Sequence, residues 1–189
     1  MPHYTAAGDD GTTTLYGPGR VPKHHQQPET FGAVDEASSA LGLARALAQA
    51  PRSDQIARAM QERLYLIMAE LAVVVGEPIP DAFVTTPEHV SALETIAAEL
   101  EAEVPAPKQF VLPGATPAGG ALDLARTIMR RAEREASRLR AGGHPLNPEI
   151  LRYLNRASSV LYDLARYEEH HAGREAPRAT RHGVQDANA

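Results

Sequence analysis

The chain has 189 residues, no cysteine and a net charge of −5. It is expected to fold as one domain with a sizeable core, without a disulfide framework, a thiolate zinc site or a basic field that would attract nucleic acid. No charged stretch followed by an apolar one reads as a secretory signal, and no apolar run nears the roughly 20 residues that span a bilayer, so a cytoplasmic protein without a membrane partner is the expectation.

In chain order the first feature is GDDGTTTLYGPGR at residues 8–20. Four glycines and a proline exclude a regular helix there, while the aspartates, threonines and arginine supply hydrogen-bonding groups. From Phe31 to about Gln49 alanine and leucine dominate and predict a first helix, ended by Pro51. Ser53 or Asp54 then caps a second helix, striped by Ile56, Met60, Leu64, Ile67, Leu71 and Val74 at steps of three and four. Thr86-Pro87 reads as a cap and first-turn proline, followed by Val90, Leu93, Ile96 and Leu100. Prolines and glycines make residues 104–120 a loop. A fourth helix spans about Pro117 to Arg140, with Leu122, Ala125, Met129, Ala132, Ala136 and Leu139 as its stripe. Asn147-Pro148-Glu149 opens a fifth, striped by Ile150, Leu154, Ala157, Leu161 and Leu164. No segment alternates at period two, so the fold class is all-α, a five-helix bundle. The division is an N-terminal loop segment at 1–30, the bundle at 31–172, and a tail at 173–189 whose polar composition predicts disorder.

Three places carry candidate chemistry. On the fourth helix, ARTIMRRAER puts Arg126 and Glu133 near the Leu122 edge of the apolar stripe, with Arg130 further round, Arg134 further still and Arg131 pointing elsewhere. Such a row is either a solvated charged face or an anion site, since guanidinium forks suit phosphates. Asp35 on the first helix is either an exposed acid near a helix start or the partner that neutralises Arg126. Asn155, at the edge of the fifth stripe, is either a structural hydrogen-bonder or a reader of adenine or ribose. The opening loop is not a Walker A sequence, because GxxxxGK[ST] is absent. Glu168-x-x-His171 fits only half of a carboxylate-bundle metal site, so no protein metal centre is expected.

Four blocks in order carry a resemblance: TAAGDDGTTTLYGPGRVPK, FGAVDEASSALGLA, FVLPGATPAGGALDLARTIMRRAER and NPEILRYLNRASSVLYDLARY, spanning about residues 5–167. Together they resemble the PduO-type ATP:cob(I)alamin adenosyltransferases. The resemblance implies the trimeric cobalamin adenosyltransferase-like bundle with active sites between subunits. It implies transfer of the 5′-deoxyadenosyl group from ATP, with Mg²⁺, to cob(I)alamin, releasing triphosphate, and an adenosylcobalamin-dependent enzyme as a further partner. By the same resemblance Thr5, Gly8, Asp9, Asp10, Gly11, Thr12 and Thr13 wrap the ATP phosphates and Lys23 adds a point charge. Arg130, Arg131, Glu133, Arg134 and Asn155 contact the nucleotide. Asp35 and Arg126 form an inter-subunit salt bridge beside the corrinoid, and Phe110 keeps the lower axial ligand off cobalt. Asp35, Arg126 and Arg130 are the residues it marks as catalytic. The chain departs from the family pattern at Ala6-Ala7, where a cation and a hydroxyl are usual, at Ala37-Ser38 in place of Leu-Asn, and at Ser159 in place of Asp. These departures keep open a second reading, a non-catalytic relative that binds ATP or corrinoid as a carrier, sensor or partner-binding module.

Overall fold

A computed structural model describes residues 6–179. The chain forms β1 (Thr12–Thr14), β2 (Arg20–Pro22), α1 (Gln26–Leu47), α2 (Pro51–Ala72), α3 (Pro87–Glu103), α4 (Pro117–Ala141) and α5 (Pro148–His171). The five helices are those the periodicity predicts. Every stripe residue named for α4 and α5 is buried, as are Ile56, Met60, Leu64, Ile67 and Leu71 on α2.

Packing follows side-chain size. α4 packs against α1 and α5, α2 against α1 and more lightly α5, and α3 against α5, with Arg52 on α2 also paired to Glu99 and Glu103 on α3. The α1–α4 seam is built from small residues: Ala33, Ala37 and Ala44 on one helix, Ala125, Ala132 and Ala136 on the other, all buried. Alanine lets the two backbones approach closely. The larger Leu64, Met129, Leu154, Leu161 and Leu164 fill the centre. Burying one such side chain contributes roughly 1.5–3 kcal/mol. α1 and α4 run antiparallel, because Gln26 donates to Glu135 at 2.9 Å while Glu36, further along α1, pairs with Arg131, earlier on α4.

The helix starts show how local chemistry sets boundaries. α1 begins at Gln26 rather than Phe31, capped by His25, whose ring accepts from the Gln27 amide. Pro51 does not end α1 but opens α2, with Ala50 as N-cap, so neither Ser53 nor Asp54 serves as the cap. Proline is favoured at that position because its missing N–H is one that no helical carbonyl would have met. The turn between α1 and α2 is instead capped from a distance: Glu168 on α5 accepts from the Gln49 and Ala50 amides at 3.0 and 3.1 Å. Thr86 and His89 form a capping box at α3, Thr116 caps α4, and Asn147 caps α5 by accepting from the Glu149 amide.

Two further features differ from the sequence reading. β1 and β2 pair antiparallel, with Thr13 opposite Val21, and Tyr16 bridges to Val73 beyond the end of α2. Residues 174–179, expected to be without structure, run back along the loop before α4. Leu112 donates its amide to the Pro177 carbonyl at 2.7 Å, and Ala179 to that of Phe110 at 2.8 Å. Among the described residues no helix is long and apolar enough to cross a membrane.

Candidate active site

The N-terminal loop is a self-bonded turn organised by one arginine. Gly11 takes φ +79°, which only glycine adopts without cost, and closes the turn through a bond from its amide to the Gly8 carbonyl at 3.2 Å. Asp10 then accepts from both the amide and the hydroxyl of Thr12, at 2.8 and 2.7 Å. Those bonds, led by the Thr12 hydroxyl and reinforced by Arg20, hold the Asp10 carboxyl below its usual range. From β2, Arg20 reaches back to the hydroxyls of Thr12 and Thr14, to Asp10 and to the Ala7 carbonyl. Lys23 folds over the same turn: a Cβ added at Gly8 would lie 2.9 Å from its Nζ. Thr5 lies outside the described residues. Asp9 is exposed; its amide donates to the Ala6 carbonyl at 3.1 Å, and its carboxylate has no partner among the described residues.

The α4 row divides in two. Arg126 donates to Asp123 at 2.9 Å on its own helix, so within one chain its partner is Asp123 and not Asp35. Asp35 is exposed on α1. Asp123, 3 % exposed, also accepts from Arg166 at 2.7 Å, and Arg166 bonds Glu169 at 3.0 Å. Burial works against the charge on Arg166, but the hydrogen bonds and the charges of Asp123 and Glu169 outweigh it and hold the guanidinium above its ordinary value. One turn further on, α4 presents its arginines to solvent. Arg130, Arg131 and Arg134 are exposed; Arg131 pairs with Glu36, and Arg134 donates to the Arg130 carbonyl at 3.0 Å. The Arg130 guanidinium has no partner among the described residues. Arg130, further round from the apolar stripe than Arg126, stands in solvent, where water screens its field.

Asn155 and Glu133 do meet. Asn155 on α5 donates to Glu133 on α4 at 2.9 Å and accepts from Arg156, which in turn pairs with Glu94 on α3. This chain of bonds fixes both groups one turn from Arg130. Phe110 lies in the loop before α4 with its ring 90 % exposed. No hydrogen bond or ion pair joins residues 8–23 to Arg130, Arg131 or Arg134 among the described residues, although Gln26, just past the loop, donates to Glu135 on α4 at 2.9 Å.

Sequence reading missed Asp123, Arg166, Glu169 and the role of Arg20. The first three were accessible as Asp123-x-x-Arg126 and Arg166-x-x-Glu169, since residues three apart on a helix are neighbours. The Glu168-x-x-His171 spacing has a different explanation: the Glu168 carboxylate is held by two backbone amides.

A helical bundle that carries a glycine-threonine turn and a row of solvent-facing guanidinium groups has the chemistry to hold an anion. The chain belongs to the cobalamin adenosyltransferase family, which it matches over residues 3–168. It is 38 % identical over 172 residues to the corrinoid adenosyltransferase PduO of Citrobacter freundii, an alignment covering 91 % of this chain and 51 % of that protein. The chain thus spans about half the length of that relative. It is 37 % identical to a corrinoid adenosyltransferase of Bacillus subtilis, covering 88 % of this chain and 86 % of the relative. Its fold superposes with a TM-score of 0.85 on a phenylalanine-to-alanine variant of a PduO-type ATP:corrinoid adenosyltransferase from Lactobacillus reuteri complexed with cobalamin and ATP. That structure is 28 % identical, with 93 % of this chain and 98 % of that one covered.

Proposed function

We propose that the chain transfers the 5′-deoxyadenosyl group of ATP to cob(I)alamin, giving adenosylcobalamin and triphosphate. Cobalt(I) supplies the electron pair that bonds C5′, the C5′–O bond breaks, and triphosphate leaves with that bond's electrons; cobalt is formally oxidised to the +3 state. No side-chain nucleophile or base is required. The chain's task is to hold the phosphates and stabilise the charge that develops on them. The observation that carries the reading is the guanidinium of Arg130, without a protein partner and one turn from the fixed Glu133–Asn155 pair. Arg134 and Lys23 add positive charge, and Gly8, Asp10, Gly11, Thr12 and Thr13 shape the turn the phosphates would lie against. Mg²⁺ enters with ATP as part of the substrate; the free Asp9 carboxylate is the hard oxygen donor the loop offers it.

The reading includes a homotrimer, in which the loop of one subunit and the arginine row of the next would share a site. Leu43 on α1 and Leu124 on α4 are 53 % and 51 % exposed, and the antiparallel register sets them level on the face that also carries Glu36 and Arg131. Such an apolar strip fits a subunit contact. In that contact Asp35 would meet Arg126 of the next subunit. The exposed ring of Phe110 would offer the corrinoid's lower face no donor atom, easing reduction to cobalt(I). A cytoplasmic enzyme handing product to an adenosylcobalamin-dependent partner completes the reading. Anaerobic incubation with ATP, Mg²⁺ and reduced cobalamin, followed by absorbance, tests it. Appearance of adenosylcobalamin is expected; corrinoid binding without conversion would favour the non-catalytic reading, to which Ala6 and Ala7 point. Sedimentation equilibrium should give three times the chain mass, and a monomer at micromolar concentration would refute the shared site.

A further inference from the structure

Behind the Phe110 loop lies a cavity of about 530 Å³ that adenosyl transfer leaves without a role. Its walls are the end of α3 with the loop that follows, one face of α5, and the 174–178 segment. The last wall is held in place by the backbone bonds that Leu112 and Ala179 make across to it.

The lining is unevenly charged. Lys108, Arg174 and Arg178 are exposed and make no ion pair among the described residues. Of the carboxylates, Glu103 is taken by Arg52 and Glu169 by Arg166, and Glu175 alone has no cation among the described residues. At the floor is Arg166, 5 % exposed, whose Nη2 is bonded to Asp123 and Glu169 and whose guanidinium lies over the Tyr162 ring; its Nε and Nη1, and Oε2 of Glu169, have no hydrogen-bond partner among the described residues. A buried guanidinium with unsatisfied donors, beneath a cavity with a cationic rim, favours an oxygen acceptor carrying negative charge.

We propose that this cavity is an oxyanion site that takes a phosphate group, with Arg166 as the cation at its floor and Lys108, Arg174 and Arg178 as its rim. Arginine forks match tetrahedral oxyanions, and the lysine adds a point charge. The site touches the corrinoid machinery from behind at two points. Val111 lines the cavity next to Phe110, and Arg166 shares the Asp123 carboxylate with Arg126. An occupant that draws on Arg166 therefore alters the hold on Arg126. This consequence, unlike the site itself, rests on the functional reading above. The phosphate has two sources: a free anion, or the phosphodiester in the corrinoid's own nucleotide tail, released when its base leaves cobalt.

The test uses the full chain and the Lys108→Ala/Arg174→Ala variant, whose replaced side chains are exposed and unpaired; a thermal melt checks that the fold survives. Inorganic phosphate is titrated calorimetrically. In parallel, cobalamin and cobinamide, which lacks the phosphodiester tail, are titrated with ATP present. A phosphate affinity that falls about tenfold or more in the variant assigns a free anion. A cobalamin-over-cobinamide preference that the variant loses assigns the corrinoid's tail. Absence of both effects in the wild type, or their persistence unchanged in the variant, overturns the proposal. Cobinamide adenosylation keeps the two readings separate. A wild type that converts cobinamide but shows neither phosphate effect sinks the cavity site alone, and one that binds phosphate but transfers no adenosyl group sinks the enzymatic reading alone.

Discussion

The two halves of α4 treat arginine in opposite ways. At Arg126 the guanidinium is half-buried and committed to Asp123, which also holds Arg166 inside the bundle. One turn later Arg130 stands in solvent with no partner among the described residues. The same residue type on the same helix thus serves the fold at one position and is left available for a ligand at the next. The difference is set by what α5 places opposite: Arg166 in the first case, Asn155 reaching past to Glu133 in the second.

The largest effect should come from the buried half. Asp123→Ala leaves Arg166 without its main counter-charge, and breaking such a pair typically costs about 3–5 kcal/mol. Denaturant unfolding should show a loss of that size, whereas a surface-like change below about 1 kcal/mol would mean the cluster is not held together by charge. Arg130→Ala should do the reverse, leaving stability unchanged while lowering kcat by about 10²–10³, the range for removing one transition-state donor. Arg131→Ala should weaken ATP binding more than turnover, since its charge is already shared with Glu36. Equal losses in both variants, measured by steady-state kinetics on folded protein, would remove the distinction drawn between them.

A third test leaves α4 and uses α5. Burial, helped by Glu101, pushes the Asp163 carboxyl up to about 6, above its unfolded value. The native state then holds a proton that the unfolded chain lacks between about pH 4 and 6, so this group favours folding as pH falls through 6 and opposes it above. Asp163→Asn should therefore stabilise the protein at pH 8 by about 1–2 kcal/mol, with the gain vanishing near pH 4. Thermal melts across that range would show it; a gain independent of pH would assign the effect to packing.

The smallest effect concerns the loop. Ala6→Lys with Ala7→Thr restores the family's usual cation and hydroxyl and should tighten ATP by up to about tenfold, equivalent to one charged hydrogen bond. Arg20 and Lys23 already fold over this turn, however, and Arg20 bonds the Ala7 carbonyl. An unchanged dissociation constant by calorimetry would show that these two cations replace the missing one.

The helices were legible because burial imposes a 3.6-residue period that Leu64, Ile67 and Leu71 or Leu154, Leu161 and Leu164 display directly. The strands were not, because three-residue segments such as Thr12–Thr14 are too short for alternation to register. The ordered run at 174–179 was missed for a related reason: its contacts are made by backbone amides and carbonyls, which leave no trace in side-chain pattern. Within the candidate site, spacing put Glu133 and Asn155 each at the edge of a stripe, but did not show the bond that joins them across α4 and α5. The partner of Arg126 was not legible, because it sits three residues away on the core-facing side of α4, where an aspartate was not expected.

One contact also constrains the order of events during synthesis. The amides of Gln49 and Ala50 meet their acceptor only when Glu168, more than a hundred residues later, has been made and α5 has docked. Until then the α1–α2 hairpin emerging from the ribosome has an uncapped turn. Its closure depends on the last helix, so the bundle is completed by a contact of high sequence separation, the kind that slows folding. Docking of α5, rather than formation of the first two helices, then sets when this turn is capped.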